Sequence, residues 1–187
     1  MIKGIIVKST VSTSKKWSIW TLIREASLYN SVLDIGCGTG RAIKRIKSKT
    51  RIGLDVCQAA IDVANENNNG VEFKCANLVD LKKFCSPNSI ECIIGVDIIE
   101  HFFKLDALQL ISECEEIATK CLIFFVPVGN HPQTKDDRGF GNDYFQTHRS
   151  TWYPVDMEEL GYTVFHYPEW HPKKVEKGAM FCLKHME

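Results

Sequence analysis

Short apolar runs alternate along the chain with longer stretches in which apolar positions recur every three or four residues. The runs at 31–36 (SVLDIG), 51–56 (RIGLDV), 71–76 (VEFKCA), 89–96 (SIECIIGV) and 121–128 (CLIFFVPV) are rich in Val, Ile and Phe and have strand length. The last two are apolar almost throughout, as in strands covered on both faces. Between the runs lie helical patterns at 40–49 (GRAIKRIKSK), 57–68 (CQAAIDVANENN) and 104–120 (KLDALQLISECEEIATK). In the last of these Leu105, Leu108, Ile111 and Ile117 fall at helical spacing, with Leu110 adjoining. A further helix is expected over 14–30, ahead of the first strand.

Strand–helix alternation of this kind implies parallel strands joined by crossover helices. The pattern breaks at 129–149 (GNHPQTKDDRGFGNDYFQTHR), which is polar, contains glycine and has no period. Loops of this length inside compact domains are uncommon and often cover a binding site. A short helix at 151–161 and two more strands, 162–170 and 178–186, complete the chain. The expected fold is α/β: a Rossmann-like, doubly wound, mostly parallel seven-stranded sheet with helices on both faces. No repeat or low-complexity linker divides it, so residues 1–187 read as one domain, with an N-terminal helical region (1–30) and a polar insertion (129–153).

Charge narrows the choice of partner. Lys plus Arg and Asp plus Glu both total 23, a formal net charge of zero, which argues against coating a long nucleic acid or an anionic membrane. The densest basic stretch, Lys44, Arg45, Lys47, Lys49 and Arg51, reads as the solvated face of a helix. No apolar run approaches a membrane span, and the opening residues lack the pattern of a signal peptide. A soluble, cytoplasmic protein is expected. Its eight cysteines are scattered, with no C-x-x-C pair to signal zinc or a compact disulfide framework.

The sharpest motif is VLDIGCGTG, Val32 to Gly40. Its glycines lie where the first strand ends and the following element opens, the edge at which doubly wound sheets bind ligands. Glycine there permits a tight turn and lets a ligand reach the main chain. A dinucleotide would call for G-x-G-x-x-G/A, but Arg41 stands at the third position. The pattern from Asp34 is D-x-G-x-G-x-G, followed by GLDV at 53–56, and it resembles the class I S-adenosylmethionine-dependent methyltransferases. The likeness continues through FKCANLVDL, IECIIGVDIIEHF with its Glu100–His101 pair, and CLIFFVPVG, covering roughly residues 30–128.

The resemblance implies S-adenosylmethionine as cofactor and assigns residues to it. Asp34 would lie near the methionine amino group, on the turn of Gly36, Cys37, Gly38 and Gly40. Asp55, with Val56 beside it, would accept from the ribose hydroxyls, since a carboxylate can take two hydrogen bonds from a vicinal diol. Asn77 and Leu78 would meet the adenine, Asn77 standing where the family commonly has Asp. Val96 and His101 would complete the pocket. Cys37 is expected to fill the turn rather than act as a nucleophile.

Substrate choice is expected from 129–153. Arg138, Asn142, Tyr144, Arg149 and Trp152 are the candidates for acceptor contact, and His148, then His131, for a general base. Methyl transfer from a sulfonium is chiefly a matter of positioning, with a base needed only where the acceptor must lose a proton. Assembled as a metal site, His131, Asp136, Asp137, Asp143 and His148 match no standard ligand spacing, so no metal is expected. The tetrapeptide common in methylases of exocyclic base nitrogens is absent after the fourth strand, as is the Pro-Cys of cytosine-C5 enzymes. The expected activity is methyl transfer to O or N of a small polar acceptor. Two other readings stay open: methylation of tRNA or protein, and a domain that binds the cofactor without turnover.

Overall fold

The computed structural model describes residues 10–11, 19–66, 68–170 and 178–187. The seven strands read from the sequence are all present: β2 (Ser31–Ile35), β3 (Thr50–Asp55), β4 (Glu72–Cys75), β5 (Ile90–Val96), β6 (Ala118–Pro127), β7 (Thr163–Tyr167) and β8 (Ala179–His185). An eighth, β1 (Thr10–Val11), adds two residues at the edge beside β7. The order is β1-β7-β8-β6-β5-β2-β3-β4. Strands β2 to β6 pair in parallel; β8 runs antiparallel between β6 and β7. The order reverses at β2, where a switch-point crevice opens between β2 and β5.

Alternation along the central strands sends neighbouring side chains to opposite faces. Leu33, Ile35, Ile93, Leu122 and Phe124 belong to one core. Val32, Cys92, Ile94, Cys121 and Ile123 belong to the other. Helices α1 (Ile19–Ala26), α2 (Gln58–Glu66) and α4 (Lys104–Ile117) cover these faces, with shorter helices α3 (Leu81–Phe84), α5 (Asp143–Gln146) and α6 (Pro154–Glu159). In α4 the buried stripe is Ala107, Leu110, Ile111, Cys114 and Ile117, while Leu105 is exposed. The stripe is therefore rotated from the one expected, with Ala107 and Cys114 fully buried in it. The N-terminal part of the helix expected over 14–30 lies outside the described residues. No helix of the described residues is long and apolar enough to cross a membrane. All eight cysteines are free.

The helix expected over 40–49 does not form. A single 3-10 turn, Ile43–Arg45, replaces it, and Ile46 is already extended. Ile43 and Ile46 are both buried and pull the chain onto the sheet. The carbonyls a helix would need are taken by side chains. The Arg51 guanidinium donates to Ile46 O at 3.2 Å, and Asn69 Nδ2 donates to Lys44 O at 2.7 Å. The basic stretch is thus partly structural, since Arg51 caps the turn and Lys44 lies over the Phe73 ring.

Candidate active site

A cavity of about 500 Å³ opens at the carboxyl ends of β2, β3 and β5, within the range of small-molecule sites. The glycine turn forms one wall. Gly36, Gly38 and Gly40 all have positive φ (72°, 52° and 78°), a conformation side chains rarely adopt. A Cβ on Gly36 would meet Ile98 at 2.5 Å, and one on Gly40 would meet Phe73 at 2.5 Å. Those two glycines are required by the packing of the protein itself. Gly38 differs: its nearest neighbour is Arg138 Nη1, from the opposite wall, and its main chain lines the cavity. The turn is held by Gly36 N and Cys37 N, which both donate to Leu54 O.

Asp55 is fixed by two backbone donors, Gly38 N at 2.7 Å and Cys57 N at 2.9 Å, one on each oxygen. An ionised carboxylate offers roughly four acceptor positions, so the two bonds aim it into the cavity and leave capacity for a diol. Asp34 is buried beneath the turn, where it accepts from the Ile43 backbone. Burial, reinforced by the charge of Asp55, pushes its carboxyl up to about 8. Cys37 is buried, with Sγ against Gly38 O, and burial pushes its thiol far up, as suits a filler of the turn. Asp34, Cys37 and Gly40 support the turn from behind. Gly36, Gly38, Asp55, Val56, Asn77, Leu78, Val96 and His101 line the cavity itself. Asn77 caps the 3-10 turn Leu78–Asp80 by accepting from Val79 N.

The polar loop forms the facing wall. Asp136 organises it, accepting from the backbone N–H groups of Arg138, Phe140 and Asn142. Arg138, Asn142, Tyr144, Arg149, His131 and His148 all line the cavity. Their roles diverge from the expected ones. The Arg149 guanidinium donates to His101 O, Thr147 O and Tyr144 O, so it ties the loop together. His131 is buried, with Nε2 2.8 Å from Val128 O. Trp152, expected to touch the acceptor, lies wholly within the core. Its Nε1 donates to Ser150 Oγ, and Lys104 Nζ sits 3.5 Å from its ring centroid. Gly129 N donates to Trp152 O at 2.8 Å, closing the loop at its base.

Glu100 and His101 occupy the 3-10 turn Ile99–His101, just after β5. Asp97, which precedes that turn, has φ of 49°, a strained conformation of the kind that marks functional sites. Glu100 is buried, and its carboxylate has no hydrogen-bond partner from any other described residue. Burial first, then the charge of Asp97, holds this carboxyl well above the usual range. His101 packs edge-on against His148, with ring centroids 4.7 Å apart. Burial, then the charge of His148, pushes His101 down to about 4. The sequence marks the Glu100–His101 pair, but nothing in its spacing brings His148 to it.

Residues 32–120 match the family model described as a methyltransferase domain. The fold is similar to that of magnesium protoporphyrin IX methyltransferase from Synechocystis PCC 6803, solved with bound SAH: TM-score 0.65 and 14% identity, covering 90% of this chain and 82% of that one. It is also similar to DhpI in complex with SAH, with TM-score 0.66 and 14% identity over 88% of this chain and 80% of that one. A protein from Pyrococcus horikoshii OT3 gives TM-score 0.63 and 17% identity, covering 90% of this chain and 88% of the other. An uncharacterized protein of Methanocaldococcus jannaschii is 39% identical over 59 residues, and the match spans 28% of this chain and 27% of that relative. Residues 32–120 are thus similar to a methyltransferase domain, and the fold is similar to that of the solved methyltransferases with bound SAH.

Proposed function

We propose that this chain transfers a methyl group from S-adenosylmethionine to an oxygen or nitrogen of a small polar acceptor. The observation that carries the reading is one cavity with two unlike walls: a glycine turn with an aimed carboxylate, and a polar, aromatic loop. The residues fit the cofactor. Bare main chain at Gly36 and Gly38 would take its amino-acid end, above Asp34. Asp55 would take the ribose hydroxyls, and Asn77 with Leu78 would border the adenine. When bound, S-adenosylmethionine supplies an electrophilic methyl on a sulfonium.

The protein's part is then to bind, orient and exclude water. Tyr144 and Asn142 offer an aromatic face and an amide to a polar acceptor. Arg138 reaches across to the glycine turn, where its charge would favour an anionic group. His131 holds the start of the loop through Val128 O. His148 faces the cavity as one member of a cluster with Glu100 and His101 rather than as a lone base. A net charge of zero and a cavity of small-molecule size favour a small acceptor over a macromolecule. The test is a metabolite extract incubated with the enzyme and methyl-labelled cofactor. Label should enter the small-molecule fraction; label entering bulk RNA or protein instead would replace the acceptor class.

A further inference from the structure

We infer that Glu100, His101 and His148 form a site for one divalent transition-metal ion, with open coordination positions facing the acceptor end of the cavity. Their candidate ligand atoms, one per residue, all lie within 4.8 Å of one another. The donor set of two imidazoles and one carboxylate suits Mn²⁺, Fe²⁺, Co²⁺ or Zn²⁺ better than Mg²⁺, which favours all-oxygen surroundings. With bonds of about 2.1 Å, an ion spans at most roughly 4.2 Å between opposite ligands. The three ligand atoms therefore lie close to the span one ion needs.

Two observations separate this cluster from a chance meeting of polar groups. Among the described residues, no other residue offers a hydrogen-bond partner to either buried Glu100 oxygen or to buried His101 Nδ1. Leaving such atoms unmatched is costly unless something absent from the protein chain satisfies them.

The second observation is that the geometry is preformed. Arg149 N and Ser150 N both donate to Glu100 O, at 2.8 and 3.1 Å, and Ser150 Oγ donates to Ile99 O. Arg149 Nη1 donates to His101 O across 48 residues of sequence, and His148 N donates to Gln133 O. These bonds staple the His148 segment to the Glu100–His101 turn and hold all three ligands at the cavity wall. The metal site stands on this geometry alone. Its use rests on the methyl-transfer reading: a bound ion would hold an acceptor oxygen and lower the pKa of its hydroxyl, the task otherwise given to a protein base.

Cobalt(II) is the probe, titrated into chelator-treated protein and followed by calorimetry and by its visible ligand-field absorption. One saturable site is expected, weakened at least about tenfold in His148→Ala and in Glu100→Gln, and unchanged in His185→Ala, an exposed histidine at the end of β8. Circular dichroism checks that Glu100→Gln is folded; His148→Ala, in the loop, gives an independent reading. The inference is overturned if cobalt shows no saturable binding at millimolar concentration, or if both ligand variants bind it as the wild type does. S-adenosylmethionine titrations run alongside keep the two claims apart: cofactor binding without cobalt binding sinks the metal site and spares the proposed function, and the reverse result does the opposite.

Discussion

The glycine-turn wall of the cavity comes from adjacent parallel strands, β2 and β3, and its contacts join residues close in the chain, such as Gly38 with Asp55. The loop wall brings Ile99–His101 against Thr147–Trp152, partners some 48 residues apart, through side chains that bond to main-chain carbonyls. The first wall is made of backbone geometry, so a few residue types suffice to specify it. The second is made of tertiary contacts among residues whose types are individually common. A cofactor shared by many enzymes suits the first kind of wall, and an acceptor that differs between enzymes suits the second.

The largest contrast between the walls is expected at Asp34. Its folded-state carboxyl titrates near 8, against an ordinary value of 3.8. The protonated form is therefore favoured in the folded protein. The stabilisation is complete below about pH 4 and is lost as pH rises through 8. Cofactor-free protein should lose stability across this window by an amount on the order of several kcal/mol. Asp34→Asn should flatten the decline, measured as urea midpoints at successive pH values; an unchanged slope would mean Asp34 is not buried as described.

Trp152→Ala tests the other wall. Truncating a fully buried Trp costs about 3–5 kcal/mol, read by denaturant unfolding. The folded fraction should keep its affinity for S-adenosylmethionine, because Trp152 lies outside the cavity. A stable variant with normal unfolding would return Trp152 to a surface role. Asp55→Ala should do the converse to function. It removes the acceptor of two backbone donors and of the proposed ribose bonds, and should weaken cofactor binding by roughly ten- to a hundredfold. The smallest effect is expected at Tyr144, 70% exposed with Arg149 over its ring. Tyr144→Ala should shift stability by less than about 0.5 kcal/mol and leave cofactor affinity alone, while raising KM for the acceptor.

The sheet was legible in the sequence because buried parallel strands read as apolar runs, and all seven fall within a few residues of those runs. The glycines were legible because positive φ and close packing admit few residue types, and Asp34 and Asp55 because each stands at the end of a strand beside that turn. The 40–49 helix was misread because its apolar spacing is genuine; Arg51 and Asn69, which take the helix carbonyls, act from outside the segment. Trp152 looked like a loop aromatic because its polar neighbours in sequence are not its neighbours in space. Arg149 looked available for an acceptor for the same reason. The meeting of Glu100, His101 and His148 depends on where the loop lands, which no local pattern encodes.

The central claim is that this cavity holds S-adenosylmethionine across the glycine turn, with its ribose on Asp55. Calorimetric titration of the wild-type protein with S-adenosylmethionine, S-adenosylhomocysteine and NAD in parallel tests it most directly. The account predicts a single saturable site for the first two and no heat of binding for NAD. Tight binding of NAD, or no binding of either sulfur nucleoside, would contradict it.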